Sequence, residues 1–412
     1  METKFVGYRC SICNAEYLPD QVTYTCPQDG GNLDVVLDYA AIRKQGLDNL
    51  IQVQEPSLWR YLRLLPVADP GGHGTPLHAA GWTPVFQPAR LAGELGLKTL
   101  WVKDESRNPT ASFKDRASAI LVARAREIGA EVVVTASTGN AGAALAGMSA
   151  AVGQPAVIFA PKTAPPAKVA QLLIYGARVL LVDGNYDAAF DLSIQAANEF
   201  GWYCRNTGYN PFTAEGKKTA AFEIWEHCQH AGQDVAQINL FVSVGDGNII
   251  SGLHKGFKDL QALGLIEHPP RIFGIQSEGS AAIANAFNAG TETIVPVSAT
   301  TIADSISVDL PRDGLRALRA ATQTGGAYLT VPDAAIIRAI AELGKAGIFA
   351  EPAGATAYAG LQAALLRKLI EPATPVMVLN TGSGLKDVRA AMQAAGAAPI
   401  IPPDLEAVKA SL

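Results

Sequence analysis

Lys114 lies in Asn108-Pro109-Thr110-Ala111-Ser112-Phe113-Lys114-Asp115-Arg116, a run that starts as a loop and continues as a helix. Pro109 restrains the loop, Ser112 or Thr110 is placed to cap, and Ala117 to Arg126 supplies good helix formers. A lysine in the first helical turn faces the positive end of the helix dipole, and partial burial also disfavours its charged form. Both effects lower its pKa, as imine formation with a carbonyl compound requires. Taken alone, an ordinary surface lysine is the simpler reading.

Three further loops carry chemistry. Ala136-Ser137-Thr138-Gly139-Asn140-Ala141-Gly142 places two hydroxyls, a glycine and an amide ahead of a helix, an arrangement suited to an anion or to a capped turn. Val244-Gly245-Asp246-Gly247-Asn248-Ile249-Ile250-Ser251-Gly252 has the build of a phosphate loop. It lacks both the Gly-Lys-Ser/Thr of a P-loop and the glycine spacing of dinucleotide folds. In Asn380-Thr381-Gly382-Ser383-Gly384 a hydroxyl is placed to bond a ring nitrogen or to cap the helix expected near Leu385. Metal-hydrolase and serine-hydrolase centres are excluded, because no H-E-x-x-H and no G-x-S-x-G occurs. His227 and His230 share a helix without a carboxylate partner and read as surface residues.

These loops need strands before them and helices after them. Val132 to Thr135, Ala156 to Ala160, Arg178 to Asp183, Ile238 to Val244, Arg271 to Ser277 and Val376 to Asn380 are short apolar runs bounded by Gly or Pro. Each precedes a helical stretch, such as Ala141 to Ala151 or the helix ending near Gly176. Fully apolar strands alternating with helices predict an α/β fold with open, mainly parallel sheets covered on both faces. Ligands then bind beyond the carboxyl ends of the strands, where the four loops lie. Residues 41 to 80 carry helix-compatible stretches and end in the Gly-rich loop Asp69 to Gly74.

The chain has 412 residues, 49% apolar and 17% charged, enough for two or three domains with real cores. Its 33 basic and 38 acidic side chains include no basic block, which argues against nucleic acid or an anionic membrane as partner. Met1 to Phe5 has no signal-peptide core and no apolar run is long enough to span a bilayer. Five cysteines, three near the start, point to a reducing cytoplasmic setting. Cys10 and Cys13 form a C-x-x-C, and Cys26-Pro27-Gln28-Asp29 resembles a second knuckle with its last ligand changed to Asp. The first forty residues thus read as a small, degenerate zinc-ribbon-like segment, one that either keeps a metal knuckle or has lost its ion. No metal ligand is assigned, and zinc on Cys10, Cys13, Cys26 and Asp29 is left to metal analysis.

In order, S-F-K-D-R, S-T-G-N, the Gly-x-Gly-Asn loop and T-G-x-G-L-K-D resemble the fold-type II family of pyridoxal-phosphate enzymes. N-P-T-x-S-F-K-D-R, Thr301 to Ile306 and Glu351-Pro352-Ala353-Gly354-Ala355 are similar to its threonine synthase branch. The likeness runs from Gly81 to Arg389, and some members also carry a cysteine-bearing ribbon. It implies a ribbon-like segment at 1–40, a large cofactor-binding part at 41–115 and 204–412, and a smaller mobile part at 116–203. It implies pyridoxal 5'-phosphate as cofactor, with Lys114 as the catalytic, imine-forming lysine and Asn140 on the ring hydroxyl oxygen. Gly245, Asp246, Gly247, Asn248 and Ile249 would cradle the phosphate and Thr381 would meet the pyridine nitrogen. Ser137 and Thr138 would hold the substrate carboxylate, and Lys103 the substrate phosphate.

The implied reaction is elimination of phosphate from O-phosphohomoserine and addition of water to give L-threonine, in a homodimer. A hydroxyl at the ring nitrogen fits elimination and replacement better than transamination. One departure bears on substrate: many members have Arg and Gln where this chain has Thr213 and Lys217. Threonine or serine dehydration, β-replacement on O-phosphoserine as in cysteate synthases, and a non-catalytic ligand-binding descendant are the alternatives.

Overall fold

The computed structural model describes residues 4–411. Strands β1 (Phe5–Cys10), β2 (Glu16–Tyr17) and β3 (Leu33–Leu37) form an antiparallel ribbon in the order β2-β1-β3. Next come β4 (Val85–Phe86) and β5 (Leu100–Asp104), then β6 (Val133–Ala136), β7 (Ala156–Pro161), β8 (Arg178–Val182) and β9 (Tyr203–Cys204). The chain returns with β10 (Asn239–Ser243), β11 (Arg271–Ser277), β12 (Ala327–Val331) and β13 (Val376–Asn380). A six-stranded sheet has the order β12-β11-β10-β13-β5-β4, and a four-stranded sheet the order β8-β7-β6-β9. All pairs in the two sheets are parallel except β4 on β5.

The apolar runs are buried as parallel strands should be: Leu240, Phe241 and Val242, and Val376 to Leu379, are 0% exposed. The six predicted strands lie within a residue or two of their expected bounds. The two-residue strands β4 and β9 are too short to leave an apolar signature. Segment 41–80 holds little α-helix, only the end of Tyr39–Lys44, with 3-10 turns at Leu58–Leu64 and Pro76–Ala79.

Register brings the loops together. Val376 to Asn380 pairs with Leu100 to Asp104, so the chain leaving β5 runs beside the chain leaving β13. Phe113 N–H then donates to Thr381 O at 2.9 Å, Ser383 N–H to Ala111 O at 3.1 Å, and Glu351 N–H to Gly382 O at 3.0 Å. The helix Lys114–Glu127 packs against both Phe212–His230 and Asn140–Ala150, and so touches the helices of both sheets. Buried charge fixes it there: Arg116, 0% exposed, donates to Glu105 and to Glu223.

That same cluster corrects one expectation. Lys103 is buried on β5, and its Nζ donates to Glu223 Oε2 at 2.7 Å and Thr83 Oγ1 at 2.9 Å. A lysine so engaged on structural partners is withdrawn from any substrate phosphate. His230 is exposed as expected, but His227 is half-buried, edge-on to Trp101 with ring centroids 5.0 Å apart.

Candidate active site

Lys114 is the first residue of its helix, and its backbone N–H lies 3.4 Å from Ser112 Oγ. The loop before it is held by Asp115, whose carboxylate accepts from Thr110 N–H at 2.6 Å and from the Thr110 hydroxyl. Ala111 takes the left-handed conformation, φ 64°, a costly geometry for a residue with a Cβ.

The lysine lines a narrow cleft together with Asn140, Gly245 to Ile250, Ser305, Glu351 and Thr381. A wider cavity shares Asn140, Ser305 and Glu351 with it and adds Thr138, Lys168, Asp304 and Lys386. The structure thus brings Lys114, Asn140, Thr381, Thr138 and the 245–249 loop to one opening. Ser137 stands one residue back, its N–H spent on Phe159 O.

The loop after β10 fits a phosphate. Gly247 has φ 89°, and a Cβ there would come within 2.6 Å of Asp313 O, so only glycine makes the turn. The N–H groups of Gly245 through Ile250 find no acceptor among the described residues, and they sit at the start of the helix Asn248–Leu263. Such orphan donors at the positive helix end are an anion site. Asp246 O and Oδ1 accept from Asp313 and Arg312 N–H, fixing the loop from behind.

Burial, then Arg205, lowers the Lys114 pKa to about 8. Three neighbours escaped the sequence reading. Glu351 accepts from Asn140 Nδ2 at 2.7 Å, and burial raises its carboxyl to about 7. Ser305 Oγ is 3.4 Å from the same amide. Arg205 is wholly buried after β9: Nη1 donates to Thr207 Oγ1 at 2.6 Å, while Nη2 has no partner among the described residues. Glu351 and Ser305 lie in the stretches that carried the resemblance, whereas Arg205 had no sequence signal.

Thr213 and Lys217, the departures, lie one turn apart on Phe212–His230, and both bond to Asn248 Oδ1 in the phosphate-type loop. Burial, then Lys114 and Arg205, holds Lys217 well below the usual lysine range. Lys114, Lys217 and Arg205 crowd together near Asp246, and burial weakens the hold of each on its proton.

A lysine of lowered pKa, a glycine loop with free amides and a buried hydroxyl after β13 define a two-sheet α/β enzyme built around a carbonyl cofactor bearing a phosphate. A family model described as pyridoxal-phosphate dependent enzyme matches residues 77–382. Threonine synthase of Methanocaldococcus jannaschii is 39% identical over 389 residues, 94% of each chain. That of Methanosarcina acetivorans is 35% identical over 98% of each. Among solved structures, threonine deaminase isoform 2 of Solanum lycopersicum superposes with TM-score 0.66 at 22% identity, over 79% of this chain and 86% of that one. The chain belongs to the family of pyridoxal-phosphate dependent enzymes and groups with its threonine synthases. Its cofactor is pyridoxal 5'-phosphate.

Proposed function

We infer that this enzyme converts O-phosphohomoserine and water to L-threonine and phosphate, with Lys114 as its catalytic base and acid. The observation that carries the lysine's role is its lowered pKa at the wall of a cleft lined by the unpaired amides of Gly245 to Ile250. Lys114 would hold the cofactor covalently, Gly245 to Ile249 its phosphate, Asn140 its ring oxygen and Thr381 its ring nitrogen. When bound, the cofactor withdraws electrons from the substrate's Cα and makes its proton acidic.

The protein's own groups do the rest. An amine near pH 8 in pKa takes and returns protons at Cα, Cβ and Cγ within the working range. Thr138, at the start of the helix Asn140–Ala150, with Ser137 behind it, would bind the substrate carboxylate. Arg205 replaces the missing arginine at position 213 as the positive group for the substrate's phosphate, with Lys217 as a neighbouring donor, since a buried guanidinium whose Nη2 has no partner among the described residues calls for an anion. The part at 116–203 would close over the part at 41–115 and 204–412 to exclude water until its addition step. The free cysteines support a reducing cytoplasmic setting, and the family resemblance supports a homodimer.

The purified protein is expected to show a cofactor absorbance that borohydride bleaches and Lys114→Ala lacks. Given O-phosphohomoserine, threonine, serine and O-phosphoserine in turn, it should yield equal phosphate and threonine from the first. A colourless protein after incubation with cofactor would refute the lysine's role. Rapid 2-oxo acid from threonine, with O-phosphohomoserine untouched, would make it a dehydratase.

A further inference from the structure

We propose that the N-terminal ribbon binds one zinc ion through Cys10 Sγ, Cys13 Sγ, Cys26 Sγ and a carboxylate oxygen of Asp29. The four ligand atoms lie within 4.8 Å of one another. Cys13 Sγ is 3.7 Å from Cys26 Sγ, and Cys10 Sγ is 3.3 and 3.5 Å from the two Asp29 oxygens. Tetrahedral zinc, with bonds of about 2.3 Å to sulfur and about 2.0 Å to oxygen, separates two sulfurs by about 3.8 Å and sulfur from oxygen by about 3.5 Å. The observed distances match those edges. They are far from the roughly 2.05 Å of a disulfide, and all three cysteines are free.

The surrounding groups are arranged as metal ligands require. Ile12 N–H donates to Cys10 Sγ at 3.3 Å and Gly31 N–H to Asp29 Oδ1 at 2.8 Å, while the Tyr17 hydroxyl stands 3.1 Å from Cys26 Sγ. Each favours the anionic form of its acceptor and orients it. A Cβ on Gly31 would lie 2.8 Å from Cys10 Sγ and 2.9 Å from Asp29 Oδ1, so the chain passes the site with no room for a side chain. Zinc binding releases three thiol protons to solvent and moves no electrons. Arg319, paired with Glu292, donates to Ser11 O at 2.5 Å beside the site. Thiolates select zinc over magnesium or calcium, and the single oxygen ligand makes the site weaker than four cysteines.

The ribbon also bears on the enzyme. Asn32 Nδ2 donates to Gly208 O and Arg312 O, and Arg316 to Leu33 O. Tyr24 Oη accepts from Cys204 N–H at 2.9 Å. The proposed ion therefore clamps a module that braces the segment carrying Arg205 and the loop behind Asp246.

Elemental analysis of the full-length protein, purified without chelator, should find about one zinc per chain. Cobalt reloading should give thiolate charge-transfer and tetrahedral ligand-field bands. Cys13→Ser and Asp29→Ala should weaken zinc by at least about tenfold, and Asp29→Cys should hold it more tightly against a chelator. Cofactor absorbance, read on the same samples, reports folding and leaves the cofactor assignment independent. Should Cys13→Ser not fold, the Asp29→Ala and Asp29→Cys pair decides, since Asp29 is exposed. Wild-type protein free of zinc after dialysis against it, or zinc retained unchanged in Asp29→Ala, overturns the proposal.

Discussion

Glu351 and Lys114 share a cleft wall, and loss of water moves each from its ordinary range in the opposite direction. For Glu351 the folded value, about 7, lies above the ordinary 4.5, so the folded chain keeps the proton longer. Stability is then lost as pH rises from about 4.5 to about 7. For Lys114 the folded chain sheds its proton first, so stability returns as pH rises from about 8 towards 10.5. Between these windows both groups are charged and buried, and each costs the fold energy. Glu351→Gln should therefore stabilise the protein near pH 8 by on the order of 2–3 kcal/mol and be neutral near pH 4. Urea melts at the two pH values check this, and an equal difference at both would place the effect elsewhere. Arg205→Gln tests the phosphate assignment: KM for O-phosphohomoserine should rise at least about tenfold with cofactor absorbance intact. Loss of the cofactor instead would assign the guanidinium to the cofactor's own phosphate.

Among the elements, the helices Lys114–Glu127 and Phe212–His230 approach so closely that Gly216 has no room for a side chain. A Cβ there would come within 2.0 Å of Arg116 O and 2.7 Å of Ala117 Cα. Backbone cannot yield as a flexible side chain does, so Gly216→Ala must part the helices and tilt Lys114 away from the loop 245–249. The expected cost is about 1–3 kcal/mol, with a fall in kcat that thermal melts and steady-state rates measure together. A full melting temperature with full activity would show that the helices yield freely. Gly216 carries no local signal in the sequence, because the contact that demands it lies a hundred residues away. By contrast, the strands and their glycine loops were legible, since both rest on local patterns: apolar runs, positive φ and helix caps. Lys103 illustrates the limit. Its place next to the lysine loop suggested a role in the site, but whether its ammonium faced a cleft or a carboxylate depended on Glu223, on a distant helix.

At the scale of the whole molecule, the cleft lies between groups carried by the two sheets. Asn140 and Lys168, on helices packed against β6, β7 and β8, face Glu351, Ser305 and Asp304 from around the larger sheet. Polar links cross the gap, among them Asn140 to Glu351 and Lys168 to Asp304. The second is exposed on its Asp304 side, so it adds less than about 1 kcal/mol to stability. Its position at the mouth of the wider cavity gives it another consequence, because whatever holds the two sides together sets how long substrate stays shielded from water. Lys168→Ala should lower kcat/KM for O-phosphohomoserine severalfold while moving the melting temperature little. Salt should erode the wild-type advantage over the variant, since the pair is screened within about 10 Å at ordinary ionic strength. Kinetics at low and high salt with matched melts measure both effects. A variant as active as wild type at low salt would show that closure does not depend on the Lys168–Asp304 pair. Greater loss of stability than of activity would make Lys168 a structural tie.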